Sequence, residues 1–404
     1  MIQGCATLIV DLGNSSTKCC VKFGKDNKTG LLRERSFELS NQFGVMSDPN
    51  YRIPTEDYDA TSSTVLQVET ELGGHTISGR FCNGELQKNE FPFAIVKPTG
   101  ASEKYLQDST PLSYRLAFYH ATKTVMSMQR CFDFSQIDIS WKVITLLPPG
   151  DMEKGAQEIE KIVKDINEVE CVYPELRLPI KITSVNVLPE GYCAYAACVF
   201  DNGQVFREDY KYLMDSAVLI LDIGAGTTDV LLVKKNKLVQ NSKTTIQQGG
   251  NNVDTLVRAK LRMQGLAFQK DEVQEAVVSG YIMDGTSKVD IVDIINNSKL
   301  EIAQKIISEL QDFFEGVDIS PRSIGYILIC GGGSMSSSTD ERICPLSEKI
   351  AEVMKTFAPN AGLVELPRHI VTKQTEDGTF EKVEEQISPR DLNLVGASIL
   401  SEGM

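Results

Sequence analysis

The 404-residue chain has only three histidines and one tryptophan. His75, His120 and His369 lie far apart in sequence, without the spacing that lets imidazoles share a metal ion. Ten cysteines are present, yet none forms a C-x-x-C pair, and adjacent Cys19 and Cys20 point to opposite faces of any strand. They read as reduced, small apolar fillers rather than as a zinc site or a disulfide framework. No apolar run approaches the ~20 residues that a bilayer-crossing helix needs. The opening MIQGCATLIVDLG lacks the basic start and small-residue cleavage site of a signal peptide, so a cytoplasmic location without membrane contact is expected. Basic residues are in deficit, 41 Lys and Arg against 55 Asp and Glu, for a net charge of −14. Gripping a nucleic-acid backbone requires a basic stripe, and none is present, so direct DNA binding is not expected; a local patch and a basic adaptor protein are the remaining routes to DNA. The G-x-x-x-x-G-K-[ST] and G-x-G-x-x-G patterns are both missing, which closes two common routes to nucleotide binding.

What is present is an ordinary soluble composition, 42% hydrophobic and 24% charged, in a chain long enough for two domains. TLIVDLGNSSTKCCVKF (Thr7 to Phe23) places two apolar runs around a turn-forming cluster, which predicts a β-hairpin. From Ser36 to about Glu103 the chain is polar and turn-rich, with short β-like pieces such as Ser63 to Val68, and a small, less regular subdomain is expected. IDISWKVITLLPP is a buried-strand pattern. It is followed by a helical face of Ile159, Ile162, Val163, Ile166 and Val169. KITSVNVLPE reads as a strand, and GYCAYAACVF as a small-residue helix suited to close packing. AVLILDIGAGTTDVLLVKKNKL (Ala217 to Leu238) is the clearest hairpin. Residues 251–316 are mostly helical in pattern, with Ile302, Ile306, Leu310, Phe313 and Phe314 as a core stripe. SIGYILICGGGSMSS is a buried strand running into three glycines, SEKIAEVMKTF is a helix, a polar hairpin-like stretch surrounds Glu376 to Thr379, and DLNLVGASIL closes the chain.

Two of these segments echo each other. LIVDLGNSSTKCCVKF and LILDIGAGTTDVLLV each run strand, Asp-x-Gly, small polar residues, strand, which predicts two similar domains facing each other across a cleft. The chemistry suits a phosphate. Glycine allows φ > 0 and lets backbone N–H groups approach an anion without a Cβ in the way. Ser15, Ser16, Thr227 and Thr228 offer hydroxyls, Lys18 can neutralise phosphate charge, and Asp11 and Asp222 can hold hydrated Mg²⁺, acting through water. One such loop is most simply an ordinary hairpin turn; two copies between strongly apolar strands favour a ligand site.

VDLGNSSTK resembles the first phosphate loop of the actin-like ATPase superfamily, LDIGAGTTD the second, and ILICGGGS its adenosine motif. LPEGYCAYAA and VGASIL fall where the superfamily has its connecting helices, so five motifs spread from Asp11 to Leu400 occur in family order. The resemblance implies an actin-like, duplicated ribonuclease H-like α/β fold with a nucleotide cleft. Domain I is expected over 1–210 plus 390–404, with an insert at about 36–103. Domain II is expected over 211–389, with a mostly helical insert at about 252–320. It implies ATP/ADP and Mg²⁺ as ligands, with GTP as an alternative. Asp11, Gly13, Asn14, Ser15, Ser16 and Lys18 would form the first loop, and Asp222, Gly224, Ala225, Gly226, Thr227 and Thr228 the second. Gly249, Gly250, Asn251 and Asn252 resemble the segment beneath the sugar and base, and Gly331, Gly332, Gly333 and Ser334 the adenosine loop. Glu190 stands where the superfamily orients the attacking water, the competing reading being a carboxylate in a helix's first turn. Lys18 and Asp222 complete the expected catalytic set.

The superfamily contains filament-forming actins, small-molecule kinases and chaperone ATPase domains, so the fold alone does not choose. The chain ends a few residues beyond the last connecting helix, without the further domain a chaperone would need, and no sugar-kinase catalytic aspartate stands out. No amphipathic membrane helix is evident at either end, and the chain is most similar to plasmid-segregation actins of the ParM and Alp type. The expectation is a filament-forming ATPase that separates plasmids through a DNA-bound adaptor. A small-molecule kinase, a non-polymerising ATP-binding scaffold and a chromosomal or phage cytoskeletal homologue are the alternatives. Ala225 between the glycines of the second loop, and a length somewhat above the plasmid group, are departures from that pattern.

Overall fold

The computed structural model describes residues 1–13, 16–25, 32–48, 50–59, 61–92, 95–96, 103–201, 204–317, 319–335, 338–374 and 380–403. Asn14 and Ser15 of the first loop, and the stretch around Glu376 to Thr379, lie outside the described residues. The chain divides into two compact units, Met1–Pro189 with Leu400–Met404, and Glu190–Ile399.

The first unit opens with β1 (Ile2–Leu12), β2 (Ser16–Lys25) and β3 (Leu32–Ser40). An insert follows: β4 (Phe43–Met46), β5 (Ser63–Leu72), β6 (His75–Gly84), α1 (Glu85–Glu90) and β7 (Ile95–Val96). Then come α2 (Ser109–Met128), β8 (Ile137–Leu147), α3 (Met152–Lys164), β9 (Glu168–Tyr173), β10 (Leu176–Pro179) and β11 (Lys181–Pro189). Five strands form the main sheet in the order β11-β8-β1-β2-β3. The β1–β2–β3 pairs are antiparallel, while β1–β8 and β8–β11 are parallel. A strand inside such a sheet is covered on both faces, and Leu8, Ile9 and Val10 are accordingly all buried. Helix α2 is buried around nearly its whole circumference, Leu112, Leu116 and Val125 joining Val10, Val21 and Trp141 in one core.

The insert is more regular than its sequence suggests: its strands β4 to β7 join β9 and β10 in a six-stranded sheet ordered β10-β9-β5-β6-β4-β7. Its regularity comes from long-range pairing: β5 lies antiparallel to β9, about a hundred residues downstream. The same pairing ends α3 early. The helix stops at Lys164, and Val169, expected on its apolar face, instead sits buried in β9.

The second unit contains α4 (Tyr192–Val199), α5 (Lys211–Asp215), β12 (Ala217–Ile223), β13 (Thr228–Lys234) and β14 (Lys237–Ile246). A largely helical insert follows, α6 (Gly250–Met263), α7 (Lys270–Ser279), the hairpin β15 (Tyr281–Asp284) and β16 (Ser287–Asp290), and α8 (Val292–Glu315). The chain continues through β17 (Tyr326–Cys330), α9 (Leu346–Phe357), β18 (Gly362–Leu363), the hairpin β19 (Arg368–Gln374) and β20 (Phe380–Gln386), and α10 (Leu392–Leu400). The sheet order is β14-β13-β12-β17-β18, an antiparallel meander followed by two parallel strands. This repeats the first unit's sheet strand for strand, so the echo between the two Asp-x-Gly segments is an echo of topology. Small residues let α4 and α10 meet closely: a Cβ at Gly396 would fall within 3.0 Å of the Cys193 carbonyl.

Candidate functional site

The two Asp-x-Gly hairpins share one register. In the first, Asp11 stands opposite Lys18 and Leu12 opposite Thr17; in the second, Asp222 stands opposite Asp229 and Ile223 opposite Thr228. Each turn is closed by its glycine: Gly13 N–H donates to the Ser16 carbonyl at 3.0 Å, and Gly224 N–H to the Thr227 carbonyl at 2.7 Å. The units differ in what supports the turn. In the first, the Asn41 amide donates to the Gly13 carbonyl, while its Oδ1 accepts from the hydroxyls of Thr17 and of Ser113, the latter at 3.1 Å. In the second, backbone does this work: Gly250 N–H donates to the Gly224 carbonyl at 3.0 Å, and the Thr228 hydroxyl to the Gln248 carbonyl at 2.8 Å.

Around Gly224 the backbone of three loops meets. A Cβ on Gly249 would come within 3.0 Å of the Gly224 oxygen and the Thr227 nitrogen, and one on Gly333 within 3.0 Å of that same oxygen. Gly331, at φ 86°, would strike the Ile223 carbonyl and Asp222 Oδ1. Only glycine permits this approach. Asn251 N–H donates to the Ala225 carbonyl at 2.7 Å, and the Asn252 side chain accepts the Gly249 N–H at 2.8 Å, capping α6 where four N–H groups would otherwise lack partners. The Ser334 hydroxyl turns inward to the Gly331 carbonyl at 2.7 Å, and Gly331 N–H is held by Pro389. Arg390 lies along Gly332, its Cγ 3.6 Å from where a Cβ would stand. Gly226 differs from all of these. No described residue lies within 4 Å of its Cβ position, so the packing of the described residues does not demand glycine there.

Thus the second-loop residues Gly224, Ala225, Gly226, Thr227 and Thr228, the segment Gly249 to Asn252, and the Gly331 to Ser334 loop are brought together within one unit. Asp11, Gly13, Ser16 and Lys18 form the corresponding hairpin of the other. Glu190 is buried and follows Pro189 directly. It precedes α4 rather than sitting in its first turn, since the helix begins at Tyr192 with Gly191, at φ 72°, as its cap.

Three residues outside the sequence expectation support these hairpins, Asp229 and Asn393 in the second unit and Asn41 in the first. Asp229 is buried and accepts from Thr245 at 2.5 Å, directly across the ladder from buried Asp222. Asn393 donates to Asp222 Oδ2 and accepts from the N–H groups of Gly191 and Ala194. Asn41 holds the first turn. An amide inside the apolar run LNLVGASIL was a signal for Asn393; nothing local marked Asn41. The carboxylates are felt by their neighbours: burial, reinforced by Asp222, Asp229 and Glu190, raises the Cys330 thiol well above its usual range and keeps it protonated. Among the described residues, no three His, Cys, Asp or Glu side chains gather as a direct metal cage would require. Asp11 and Asp222 occupy the same place in their respective hairpins, each near the end of a central strand beside its glycine turn, and their carboxylate oxygens are the hard donors that suit a hydrated Mg²⁺.

Duplicated five-stranded sheets, each with an Asp-x-Gly hairpin at its centre, together with a glycine-rich loop after β17, define the actin fold. Residues 220–338 match a family model described as archaeal actin homologue MreB-like, C-terminal. Among solved structures, the chain is similar to the actin-like protein Alp7A, at 17% identity, 98% coverage of this chain, 96% of that one and a TM-score of 0.64. It is similar to the archaeal actin homolog Ta0583 in complex with ADP, at 16% identity, coverage of 99% and 100% and a TM-score of 0.59. It is similar also to a subunit of a 15-stranded ParM filament from Clostridium botulinum, at 14% identity, coverage of 99% and 100% and a TM-score of 0.59. No curated protein matches the sequence. Among the described residues, no helix is long and apolar enough to cross a membrane.

Proposed function

We propose that this chain is a Mg-ATP-dependent ATPase that works in the cytoplasm by assembling into filaments, and that its cargo is plasmid DNA held through a basic adaptor protein. The observation that carries the reading is the nest of loops around Gly224, in which Gly249, Gly331 and Gly333 are forced by packing while Gly226 is left with room that no described residue fills. An arc of this kind admits a phosphate close to the backbone. An ADP complex of one structural relative and a filament of another support the same reading.

In this account Lys18 neutralises phosphate charge, and the backbone of Gly13, Asn14, Ser15, Ser16 and of Gly224, Ala225, Gly226, Thr227, Thr228, with the hydroxyls of Ser15, Ser16 and Thr227, positions the phosphates, the Thr228 hydroxyl being held by the Gln248 carbonyl. Gly249 to Asn252 lie beneath the sugar and base, and Gly331 to Ser334 take the adenosine. Asp11 and Asp222 hold Mg²⁺ through water; the ion, when bound, supplies positive charge against the phosphates. Glu190 orients a water for attack on the γ-phosphorus, the bond to the bridging oxygen breaks, and ADP departs with the electron pair. The protein's contribution is positioning and charge stabilisation. ATP shifts the population toward the assembly-competent form by binding it more tightly, and ADP subunits associate more weakly. The chain's own charge of −14 opposes DNA, which is why an adaptor is assigned to that contact.

Electron microscopy of the purified protein with Mg-ATP, Mg-GTP, Mg-ADP and no nucleotide tests the reading. Filaments confined to a nucleoside triphosphate support it and identify the base preference. Their absence from every sample, with nucleotide bound, overturns the assembly claim.

A further inference from the structure

Helix α10 is largely apolar but carries an amide in its first turn, Asn393, of which 8% is exposed. A buried carboxamide is costly unless its hydrogen-bonding capacity is used. Here Oδ1 accepts from Gly191 N–H at 2.8 Å and Ala194 N–H at 3.2 Å, and Nδ2 donates to Asp222 Oδ2. The orientation follows from chemistry, because the flipped amide would set N–H against N–H and oxygen against carboxylate.

We infer that Asn393 is a positioning residue: its single rigid carboxamide ties the carboxylate of Asp222 to the turn that carries Glu190. The consequence for turnover rests on the ATPase reading above. The amide plane is located by the start of α4, whose first N–H groups have no helical partners, and once Oδ1 is seated there Nδ2 can only face Asp222. Two neighbours fix the frame. Gly191 is pressed against Leu231, where a Cβ would stand 2.6 Å from Cδ2, and Gly396, one turn beyond Asn393, abuts the Cys193 carbonyl. Buried Asp229 faces Asp222 from β13, and Cys330 adjoins it from β17 as a neutral thiol, so Asn393 sets an uncharged donor beside a pair of carboxylates. Supporting groups of this kind typically alter activity or metal affinity by about 10–100-fold.

Two substitutions separate the halves of the amide. N393D keeps both acceptor bonds to Gly191 and Ala194 but removes the donor and sets a second carboxylate against Asp222; N393A removes everything. Phosphate release against ATP and Mg²⁺ concentration is measured beside amide hydrogen exchange of the peptide carrying Gly191 and Ala194. For both variants kcat is expected to fall about tenfold or more, with KM for ATP changed less than about threefold. Exchange should speed up in N393A and stay slow in N393D. Wild-type kcat in N393D, or an effect confined to KM or melting temperature, overturns the inference. If the wild-type protein itself releases no phosphate, the ATPase reading fails. Exchange then decides the tether alone, and equal exchange in all three proteins overturns it.

Discussion

The carbonyl of Gly224 receives the N–H of Gly250 at 3.0 Å, while Gly249 and Gly333 crowd the same oxygen from two other directions. The loop's shape is therefore held by glycines whose absent side chains are structural, and by one, Gly226, whose absent side chain is not. Gly249→Ala and Gly333→Ala should each destabilise the protein by about 1–3 kcal/mol, as overpacking against rigid backbone does. Gly226→Ala should leave stability within about 0.5 kcal/mol and weaken ATP binding about tenfold, some 1.4 kcal/mol. Denaturant unfolding and nucleotide titration check the contrast; equal stability losses at all three positions would remove the ligand-facing role of Gly226.

Glu190 is buried ahead of α4, and the contact its backbone makes with that helix, its carbonyl accepting from Tyr192 N–H at 2.8 Å, survives truncation to Ala, so the loss in that variant is expected in chemistry. Glu190→Ala is expected to slow phosphate release by about a hundredfold or more while polymer persists longer after assembly. An unchanged release rate would take Glu190 out of the reaction.

Asn41 is 1% exposed and serves the Gly13 carbonyl and the Thr17 and Ser113 hydroxyls at once. Asn41→Ala leaves these buried groups without partners, and each unsatisfied group costs about 1–3 kcal/mol. Asn41→Asp should not restore stability, since it supplies no donor for the Gly13 carbonyl. Thermal melts of the two variants test this, and an Asp variant as stable as wild type would contradict it.

His120 is half-buried on α2, and burial, with Lys123 adding to it, lowers its pKa from 6.5 to about 4. Its neutral form is the one the fold favours. Between about pH 6.5 and about pH 4 the unfolded chain holds a proton that the folded chain lacks, so stability falls as pH drops through that window, by at most about 1.4 kcal/mol per pH unit from this group. His120→Gln should flatten the corresponding part of the melting-temperature profile, and an unchanged slope would assign the acid sensitivity elsewhere.

Local pattern carried the parts of the fold that depend on neighbours in sequence. Both Asp-x-Gly hairpins, the buried strand before Gly331 to Gly333 and the core stripe from Ile302 to Leu310 were legible because alternation and helical spacing are short-range signals. Helix α2 was not, since a helix buried all round shows no polar face for periodicity to reveal. The six-stranded sheet built on the insert was not, since β5 gains its regularity from β9 far along the chain. The site divides the same way. Glycines and aspartates of the loops announced themselves by type and spacing, whereas Asn41 and Asn393 take their roles from hydrogen bonds to residues far along the chain, and Asp229 from its cross-strand partner in the next hairpin.

The central claim, an ATPase coupled to assembly, is tested most directly by high-speed sedimentation of the purified protein with Mg-ATP, Mg-ADP and no nucleotide, with phosphate release followed in the same tubes. The account predicts pelleting with Mg-ATP, little with Mg-ADP, and phosphate release that rises with the amount of polymer. Nucleotide binding without any pellet, across the protein and salt concentrations tested, would contradict it.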